Sequence, residues 1–336
     1  MTTGLTSGSR STVAIAGSGL AELTCAWLLA SRGHRVRIRP RPSYGARPLL
    51  LGEETLALLH ALWGAGPPAD SHRLTHRHVC WAPGPPDPPL SQPATVVDGA
   101  LLCCRLLDRL AAHHPETVRT GPDSSGAPHW TVTADPPAGH PGEHRTAGRR
   151  HLLAGEAPLA AGQNDTTARL DRTDLGWLHL TPLGNGRALL QAMVPGPVGR
   201  PADLLGRLLA ASALAHCLRR PPDTVLALPA APRLHPVPAT APTAGTPGVL
   251  LVGAGAIRYD PLSGTGTAQA LRTAVLAAAV IDSAAAGTPA DRLCAHYAAR
   301  LRTAFRDHLA TCARLYPQAF PAATAWQHEL DACRPG

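Results

Sequence analysis

The order of apolar and polar positions predicts that the chain opens with a strand, a helix and a second strand. The run TVAIA (residues 12–16) precedes a glycine turn, the helix-like run GLAELTCAWLLASRG ends at Gly33, and HRVRI follows. Apolar residues at helical spacing favour a helix, and short alternating runs on either side favour strands. Residues 12–39 are therefore predicted to form the first βαβ unit of a doubly wound parallel sheet.

Further along the chain, short apolar runs alternate with amphipathic ones. Helical patterns cover 53–64, 101–114 and 202–220, short strands are indicated at 76–82, 94–99 and 249–256, and 115–150 is rich in turns around a strand at 129–134. Three helices are expected to finish the chain.

The segment WLHLTPLGNGRALLQAMV predicts a β-hairpin. Its two alternating runs are separated by Gly184, Asn185 and Gly186, which provide a turn with positive φ angles. Alternation in the first strand places Trp177 and His179 on the same face, together with Thr181.

Composition narrows the class of protein. The 336 residues are 44% apolar and 16% charged, which is typical of a globular chain with a sizeable core. The net charge is +8, but the arginines are scattered and aromatic residues make up 4%, so no nucleic-acid surface is expected. Eight cysteines without a C-x-x-C spacing predict reduced core thiols.

No membrane span or targeting signal is expected. The stretch MTTGLTSGSR is polar and leads directly into the first predicted strand. The longest apolar helical run, residues 270–287, carries Arg272 and Asp282 and is interpreted as a buried core helix. We therefore expect a cytoplasmic protein.

Two glycine clusters carry candidate binding chemistry. GSGLAE (17–22) matches the first two glycines of G-x-G-x-x-G after a strand, with Glu22 in place of the third. Near the other end, VLLVGAGA leads into D-P-x-x-G-x-G at 260–266, at the start of a long helix. There Gly264 and Gly266 would let a planar ring approach the N–H groups of the helix N-terminus.

These clusters and the segments between them resemble the flavoprotein monooxygenase fold. The resemblance is to the branch of tryptophan halogenases and of flavin monooxygenases that mature protein-derived tryptophylquinone cofactors. LLLGEETLALLHALWG looks like its G-E-S/T segment, HVCWAPGPPDPP like its WGs strand, GALLCCRLLDRLAA like its arginine-bearing helix, and LGWLHLTPLGNGRALLQAMV like its substrate-side sheet. The resemblance covers most of residues 12–285 in order.

The resemblance implies an α/β architecture: a Rossmann-like FAD/NAD(P)-binding fold with an inserted, mainly antiparallel substrate-side sheet and C-terminal helices. The implied cofactor-binding domain is discontinuous, over 1–75, 99–155 and 245–290. The substrate-side sheet would comprise 76–98 and 156–244, and the C-terminal helices would comprise 291–336.

The resemblance also implies site residues. FAD adenosine would lie over Gly17 and Gly19, and the flavin ring would meet the turn that contains Pro261, Gly264 and Gly266. Arg105 would lie beside the flavin and Glu53 close to it. The substrate would lie between the ring and the sheet that carries Trp81, Trp177 and His179, with His76 and His78 as further pocket candidates.

Three positions that hold FAD in that family differ in this chain. Glu22 replaces the third glycine, Arg39 or Pro40 stands where an acidic residue accepts the ribose hydroxyls, and Ala254 stands where an aspartate contacts the ribitol. A carboxylate about 5 Å from one phosphate charge costs roughly 3 kcal/mol at an effective dielectric near 20. Each lost charge-assisted hydrogen bond costs about 1.5–3 kcal/mol.

Together these changes remove on the order of 6–9 kcal/mol, against about 12 kcal/mol for nanomolar binding. Arg37, Arg39 and Arg41 would compensate if they paired with the phosphates. Alternatively, they form a solvated strand end. FAD is therefore the suspected cofactor, but the sequence does not decide whether this chain binds it.

Other candidate groups each have two interpretations. In HRLTHRH only His76 and His78 share a strand face and no carboxylate or thiol has matching spacing, so no metal site is expected. His179 is a general base, a substrate anchor, or a hydrogen-bonded half-buried histidine. Asp260 is an acid–base candidate or the cap of the following helix.

Two hypotheses for the function remain. The first is an FAD-dependent monooxygenase-like oxidoreductase of secondary metabolism, with a flavin reductase as partner and an aromatic or amino-acid-derived substrate, peptide-linked ones included. Halogenation is disfavoured, because the W-x-W-x-I-P signature and the active-site lysine of the halogenases are missing. The second is that the fold has lost FAD and acts as a non-catalytic partner, or as a cofactor-independent enzyme through His179, Glu53 or Asp260.

Overall fold

The computed structural model describes residues 10–40, 48–81, 88–115, 118–120, 127–321 and 324–334. Its helices are α1 (Leu20–Ser31), α2 (Glu53–Trp63), α3 (Gly99–His113), α4 (Pro201–Ala210), α5 (Gly253–Ala256), α6 (Gly266–Ala285), α7 (Ala290–Ala319) and α8 (Thr324–Ala332). Its strands are β1 (Thr12–Ala16), β2 (Arg35–Arg39), β3 (Pro48–Gly52), β4 (His72–Cys80), β5 (Leu90–Asp98), β6 (Val118–Thr120), β7 (Trp130–Thr133), β8 (Arg145–Thr146), β9 (His151–Pro158), β10 (Thr167–Arg172), β11 (Trp177–Gly184), β12 (Arg187–Val194), β13 (Leu226–Pro229), β14 (Arg233–Leu234), β15 (Ala239–Thr240), β16 (Gly248–Leu251) and β17 (Ile257–Arg258).

The first sheet is the predicted doubly wound sheet. Its strand order is β15-β16-β7-β1-β2-β6, and all its pairs except β15–β16 are parallel. Val13 and Ile15 of β1 and Val36 and Ile38 of β2 are fully buried, because the parallel strands are covered by helices. The predicted βαβ unit is confirmed. Its helix α1 packs against α6.

The second sheet curls beside the first and is mainly antiparallel. Its strand order is β13-β9-β12-β11-β10-β4-β5-β3, and β10–β4 is its one parallel pair among the described strands. The predicted hairpin is β11–β12, and Gly184, Asn185 and Gly186 have φ angles of 82°, 54° and 68°. The expected fold class, with its inserted antiparallel sheet, is confirmed.

In the described part of the chain, three α-helices follow β17, as expected. The apolar helix α6 has the length and hydropathy that would cross a membrane, and half of that stretch is buried inside the protein. The interpretation as a core helix agrees with its packing, because Leu271, Ala274 and Ile281 contribute to the main hydrophobic core. The helix predicted at 53–64 is α2, and Gly64 ends it with a φ of 61°.

The predicted division into domains stays a prediction. Two strands that it assigned wholly or partly to the cofactor domain pair within the second sheet. β3 was assigned with the cofactor domain, but it pairs with β5 at the edge of the second sheet. β9 begins at His151 and pairs with β12 over its whole length. The turn cluster DSSGAP lies mostly outside the described residues.

Candidate functional site

The glycine turn after β1 joins the first sheet to α1. Gly17 has a φ of 142°, which favours glycine, and its N–H donates to the carbonyl of Arg39 at 3.0 Å. Gly19 caps α1 without a side-chain hydrogen bond. This is the strand, turn and helix arrangement at which dinucleotide-binding proteins hold a pyrophosphate.

The side chain of Glu22 covers this turn. Glu22 is buried, and its carboxylate folds back so that a Cβ at Gly17 would lie 2.6 Å from Oε1 and a Cβ at Gly19 would lie 2.8 Å from Oε2. Oε1 also accepts a hydrogen bond of 3.0 Å from the N–H of Ala134, at the end of β7. The space that the glycines leave open is therefore filled by a carboxylate of the protein.

Neither of the changed positions that would hold the ribose and the ribitol presents a carboxylate. Arg39 is exposed at the end of β2, and Ala254 presents a methyl group in place of a carboxylate. Arg41 lies outside the described residues. Since Glu22 brings a negative charge to the place where a diphosphate would lie, the residues here do not fit the adenosine diphosphate half of FAD.

The second glycine cluster leaves its space open. Pro261–Ser263 forms a 3-10 turn, Gly264 follows with a φ of 62°, and α6 begins at Gly266. A Cβ on Gly264 or on Gly266 would meet no atom within 4 Å. The first N–H groups of α6 have no side-chain cap, so they can hydrogen-bond to a polar edge of a planar ring.

Two adjoining cavities lie between this turn and the second sheet. The inner cavity is about 240 Å³ and is lined by Leu50, Arg77, Trp177, His179, Gln191 and Pro261, among others. The outer cavity is about 450 Å³ and is lined by Leu50, Glu53, His76, Arg77, Gly264 and Thr265, among others. Because Leu50, Arg77 and Gly264 line both cavities, the two are neighbours at the turn formed by residues 261–266, which we call the ring turn.

His179 lies in the wall of the inner cavity, on β11. Its Nδ1 is 3.1 Å from Thr181 Oγ1, and Arg77 Nη2 is 3.5 Å from its Nε2. Burial, together with the charge of Arg77, lowers the pKa of His179 to about 3. His179 is thus a neutral imidazole near pH 7, which suits hydrogen bonding to a ligand better than general-base catalysis.

Asp260 is part of a buried ionic network behind the ring turn. Arg150 Nε lies 3.1 Å from Asp260 Oδ2, and Arg150 Nη1 lies 3.5 Å from Glu329 Oε2. Tyr316 donates its hydroxyl to Asp260 at 3.0 Å and accepts from Trp177 Nε1 at 3.1 Å. The network joins the C-terminal helices to the turn and to the cavity wall.

Within this network Asp260 stabilises the turn that it precedes. It caps the 3-10 turn, because its Oδ1 accepts from the N–H of Leu262 at 2.9 Å, whereas Thr265 caps α6. Asp260 was predicted to cap the long helix, but it caps the short 3-10 turn that precedes that helix. Desolvation raises the pKa of Asp260, and Arg150 opposes that shift. Asp260 does not line either cavity.

The other predicted residues divide into those that the structure brings to the cavities and those that it does not. Glu53 and His76 line the outer cavity, and Trp177 lines the inner one. Arg105 is on α3, half-exposed and 3.7 Å from Asp70, and it lines neither cavity. Trp81 donates to the carbonyl of Leu315 and packs on α7.

Sequence reasoning missed Arg77, which lies between the two histidines that it singled out. Residues Arg77, Val79 and Trp81 share one strand face by alternation. Because β10 pairs with β4 on one side and with β11 on the other, that face lies on the side of His179. His78 pairs with Arg169 on the opposite face. Extending the alternation from Trp81 would have identified Arg77.

Among the residues that the structure describes, no group of three or more His, Cys, Asp or Glu side chains is arranged to hold a metal ion. All eight cysteines are free thiols.

The parallel sheet with its glycine turn, the curled second sheet and the ring turn define the fold of flavin-dependent monooxygenases and halogenases. No protein-family model and no curated protein matches this chain. At sequence identities below one fifth, the structural similarity shows the fold, and it confirms the resemblance that the motifs predicted.

Three solved structures illustrate the match. One is QhpG, a peptidyl tryptophan dihydroxylase essential for tryptophylquinone cofactor biogenesis, with a TM-score of 0.76 and 19% identity over 95% of this chain and 78% of QhpG. The myxobacterial chondrochloren halogenase CndH has a TM-score of 0.76 and 16% identity, over 96% of this chain and 86% of CndH. A variant of HpxO from Klebsiella pneumoniae complexed with FAD has a TM-score of 0.66 and 17% identity, over 96% of this chain and 94% of HpxO.

Proposed function

We propose that this protein is an oxidoreductase that acts on a small aromatic or amino-acid-derived molecule in the inner cavity. We propose further that it takes a flavin only loosely, by the ring and not by the adenosine diphosphate half. The observation that carries this proposal is the contrast between the two glycine clusters. Gly264 and Gly266 face open space beside the cavities, whereas Gly17 and Gly19 are covered by Glu22.

The walls of the inner cavity support an aromatic substrate. Trp177, Leu170 and Leu189 present flat or branched apolar surface, and Pro261 and Leu262 close the opposite side. Apolar walls with a few convergent polar groups are typical of small-molecule sites. The neutral imidazole of His179 would orient a polar substituent of the ring.

The outer cavity is the place for the flavin ring. It is bounded by the Ser263–Thr265 segment on one side and by Gly52 and Glu53 on the other. A flavin ring bound there would supply the redox chemistry, while the chain would position the substrate and exclude water from it. A loosely held flavin fits a separate flavin reductase as the partner that delivers it.

The proposal is tested by comparing riboflavin, FMN and FAD as ligands of the purified protein. We expect weak binding of all three, with affinities within about tenfold of one another, because the phosphate and adenosine parts would gain no charge-assisted hydrogen bonds. The quenching of flavin fluorescence measures this. Tightly co-purified FAD, or an FAD affinity more than about a hundredfold above that of riboflavin, would overturn the loose mode of binding.

A second candidate is favoured by the same Glu22 carboxylate. If the Glu22 carboxylate blocks the glycine turn permanently, the protein works without a flavin. It would then be a cofactor-independent enzyme or a non-catalytic partner of another enzyme. The absence of any binding of riboflavin, FMN or FAD at millimolar concentration would support this candidate over the first. Oxidation of aromatic compounds in the presence of a flavin reductase and a nicotinamide reductant would support the first.

A further inference from the structure

Arg77 is the charged group at the junction of the two cavities. It lies on β4, opposite Ala168 of β10, and it lines both cavities. Its neighbours across the sheet on the same face include Thr181 and Leu189, which also line the inner cavity. The pairing of strands therefore fixes the guanidinium in the wall of the substrate cavity.

The guanidinium has no counter-charge within the described part of the chain. None of the ion pairs among the described residues involves Arg77, and no acidic group contributes to the shift of its pKa. Its Nε has no hydrogen-bond partner, and its Nη2 lies 3.5 Å from His179 Nε2. Desolvation accordingly lowers the pKa of Arg77, although an arginine stays charged at all ordinary pH values. Arg77 is partly buried, and a charge that is largely removed from water without a counter-charge is costly and marks a place where an anion would be stabilised.

Arg150 is a useful comparison, because it is a buried arginine whose role is structural. Its guanidinium is fully buried and lies against two carboxylates, those of Asp260 and Glu329. Arg77 has no such pair of carboxylates. Among the described residues no acidic side chain lines the inner cavity, whereas Glu53 and Glu54 line the outer cavity. The inner cavity thus favours an anion, and the outer one does not.

We infer that Arg77 binds the carboxylate of the substrate, so that the substrate class is a small aromatic carboxylic acid. This inference rests on the proposed function, which places an aromatic substrate in the inner cavity. The planar guanidinium can hold a carboxylate by two parallel hydrogen bonds, and the His179, Thr181 and Gln191 side chains lie beside it for further polar contacts. The cavity volume of about 240 Å³ limits the acid to one or two rings.

The test compares carboxylates with their neutral amides, in the absence of any flavin. The probes are benzoate and indole-3-carboxylate, each paired with the corresponding carboxamide, and isothermal calorimetry or ligand-observed NMR measures their affinities. We expect the wild-type protein to bind each acid about 10- to 100-fold more tightly than its amide. An equal affinity for acid and amide, a preference for the amide, or no binding of either acid would overturn the inference.

Three variants assign the effect to Arg77. Arg77→Met should abolish the preference for the acid, and Arg77→Lys should retain part of it, because lysine keeps the charge without the planar fork. Arg73→Met is the matched control, since Arg73 is exposed on the same strand and lines neither cavity. An unchanged preference in folded Arg77→Met, verified by circular dichroism, would overturn the inference.

Failure of this inference is distinguishable from failure of the proposed function. If acids bind through Arg77 but no flavin binds, the substrate class stands and the flavin proposal fails. If flavin binds and aromatic compounds are oxidised while acids and amides bind alike, the proposed function stands and the role of Arg77 fails. Should Arg77→Met not fold, the comparison of acid with amide on wild-type protein and on Arg77→Lys still decides the question.

Discussion

The carboxylate of Glu22 accepts a hydrogen bond from the backbone N–H of Ala134 at 3.0 Å, and in this position it lies over both glycines of the first turn. The bond links the first turn of α1 to the end of β7. A carboxylate at a helix N-terminus is favourable with the helix dipole, so Glu22 stabilises the very site that a diphosphate would occupy. The Glu22 carboxylate thus occupies the position that the diphosphate of a dinucleotide would take.

The first prediction concerns the removal of this anion. Glu22→Gly should raise the affinity for FAD by about 100-fold, because it removes both the roughly 3 kcal/mol repulsion and the side chain that fills the space. The affinity for riboflavin should not change, because riboflavin lacks the phosphates. Flavin fluorescence titrations of the variant and the wild type measure both quantities.

Two further variants make this prediction specific. Glu22→Gln removes the charge but keeps the volume, so its gain in FAD affinity should be smaller than that of Glu22→Gly. Asp291→Asn, which changes an acidic residue in the first turn of α7, should have no effect. Equal FAD affinities in Glu22→Gly and the wild type would show that Glu22 is not what keeps the dinucleotide out.

Local patterns predicted much of the fold. The βαβ unit, the end of α2 at Gly64 and the Gly184–Asn185–Gly186 hairpin depend on spacing and on glycine within a few residues of each other. These features are visible in a short window of sequence because turn chemistry and helix periodicity are local. The same is true of the two glycine clusters.

The candidate site was predicted less well, because it depends on strand register and on distant contacts. Arg77 faces His179 only after β4, β10 and β11 have paired, and the two residues are 102 positions apart in the chain. Arg150 and Glu329 are farther apart still, and nothing near either residue indicates the other. The negative charge of Glu22 at the fingerprint was visible in the sequence, but the direction of its side chain was not.

The second prediction concerns the buried network at Arg150. Arg150→Met should lower the free energy of unfolding by about 3–5 kcal/mol, because it leaves the carboxylates of Asp260 and Glu329 buried without their partner. Denaturant unfolding followed by circular dichroism measures the loss. Arg149→Met is the neighbouring control, since Arg149 is exposed and only its backbone N–H contacts Glu329. A loss as small as that of the control would contradict a structural role for the network.

The third prediction concerns Arg77 and the stability of the ligand-free protein. Arg77→Met should raise the free energy of unfolding by about 1–3 kcal/mol, because it removes a partly buried charge that has no counter-charge among the described residues. A residue retained only for packing would show the opposite sign. Thermal melting of the variant measures the change, with Arg73→Met as the control. A lower melting temperature in Arg77→Met alone would show that the guanidinium stabilises the fold by itself.

The fourth prediction follows from the low pKa of His179. Because its pKa is about 3 in the folded protein and about 6.5 when unfolded, the unfolded chain binds more protons between these values, and stability falls as the pH falls through that window. From pH 7 to pH 5 the wild type should lose about 2 kcal/mol through His179 alone. Denaturant unfolding at the two pH values should show that His179→Asn lacks the loss of stability that His179 causes.

His308, whose pKa burial lowers to about 4, adds a loss of stability of the same sign, and this loss remains in the His179→Asn variant. Equal losses in variant and wild type would mean that His179 is not held neutral, and the imidazole would then be available as a base.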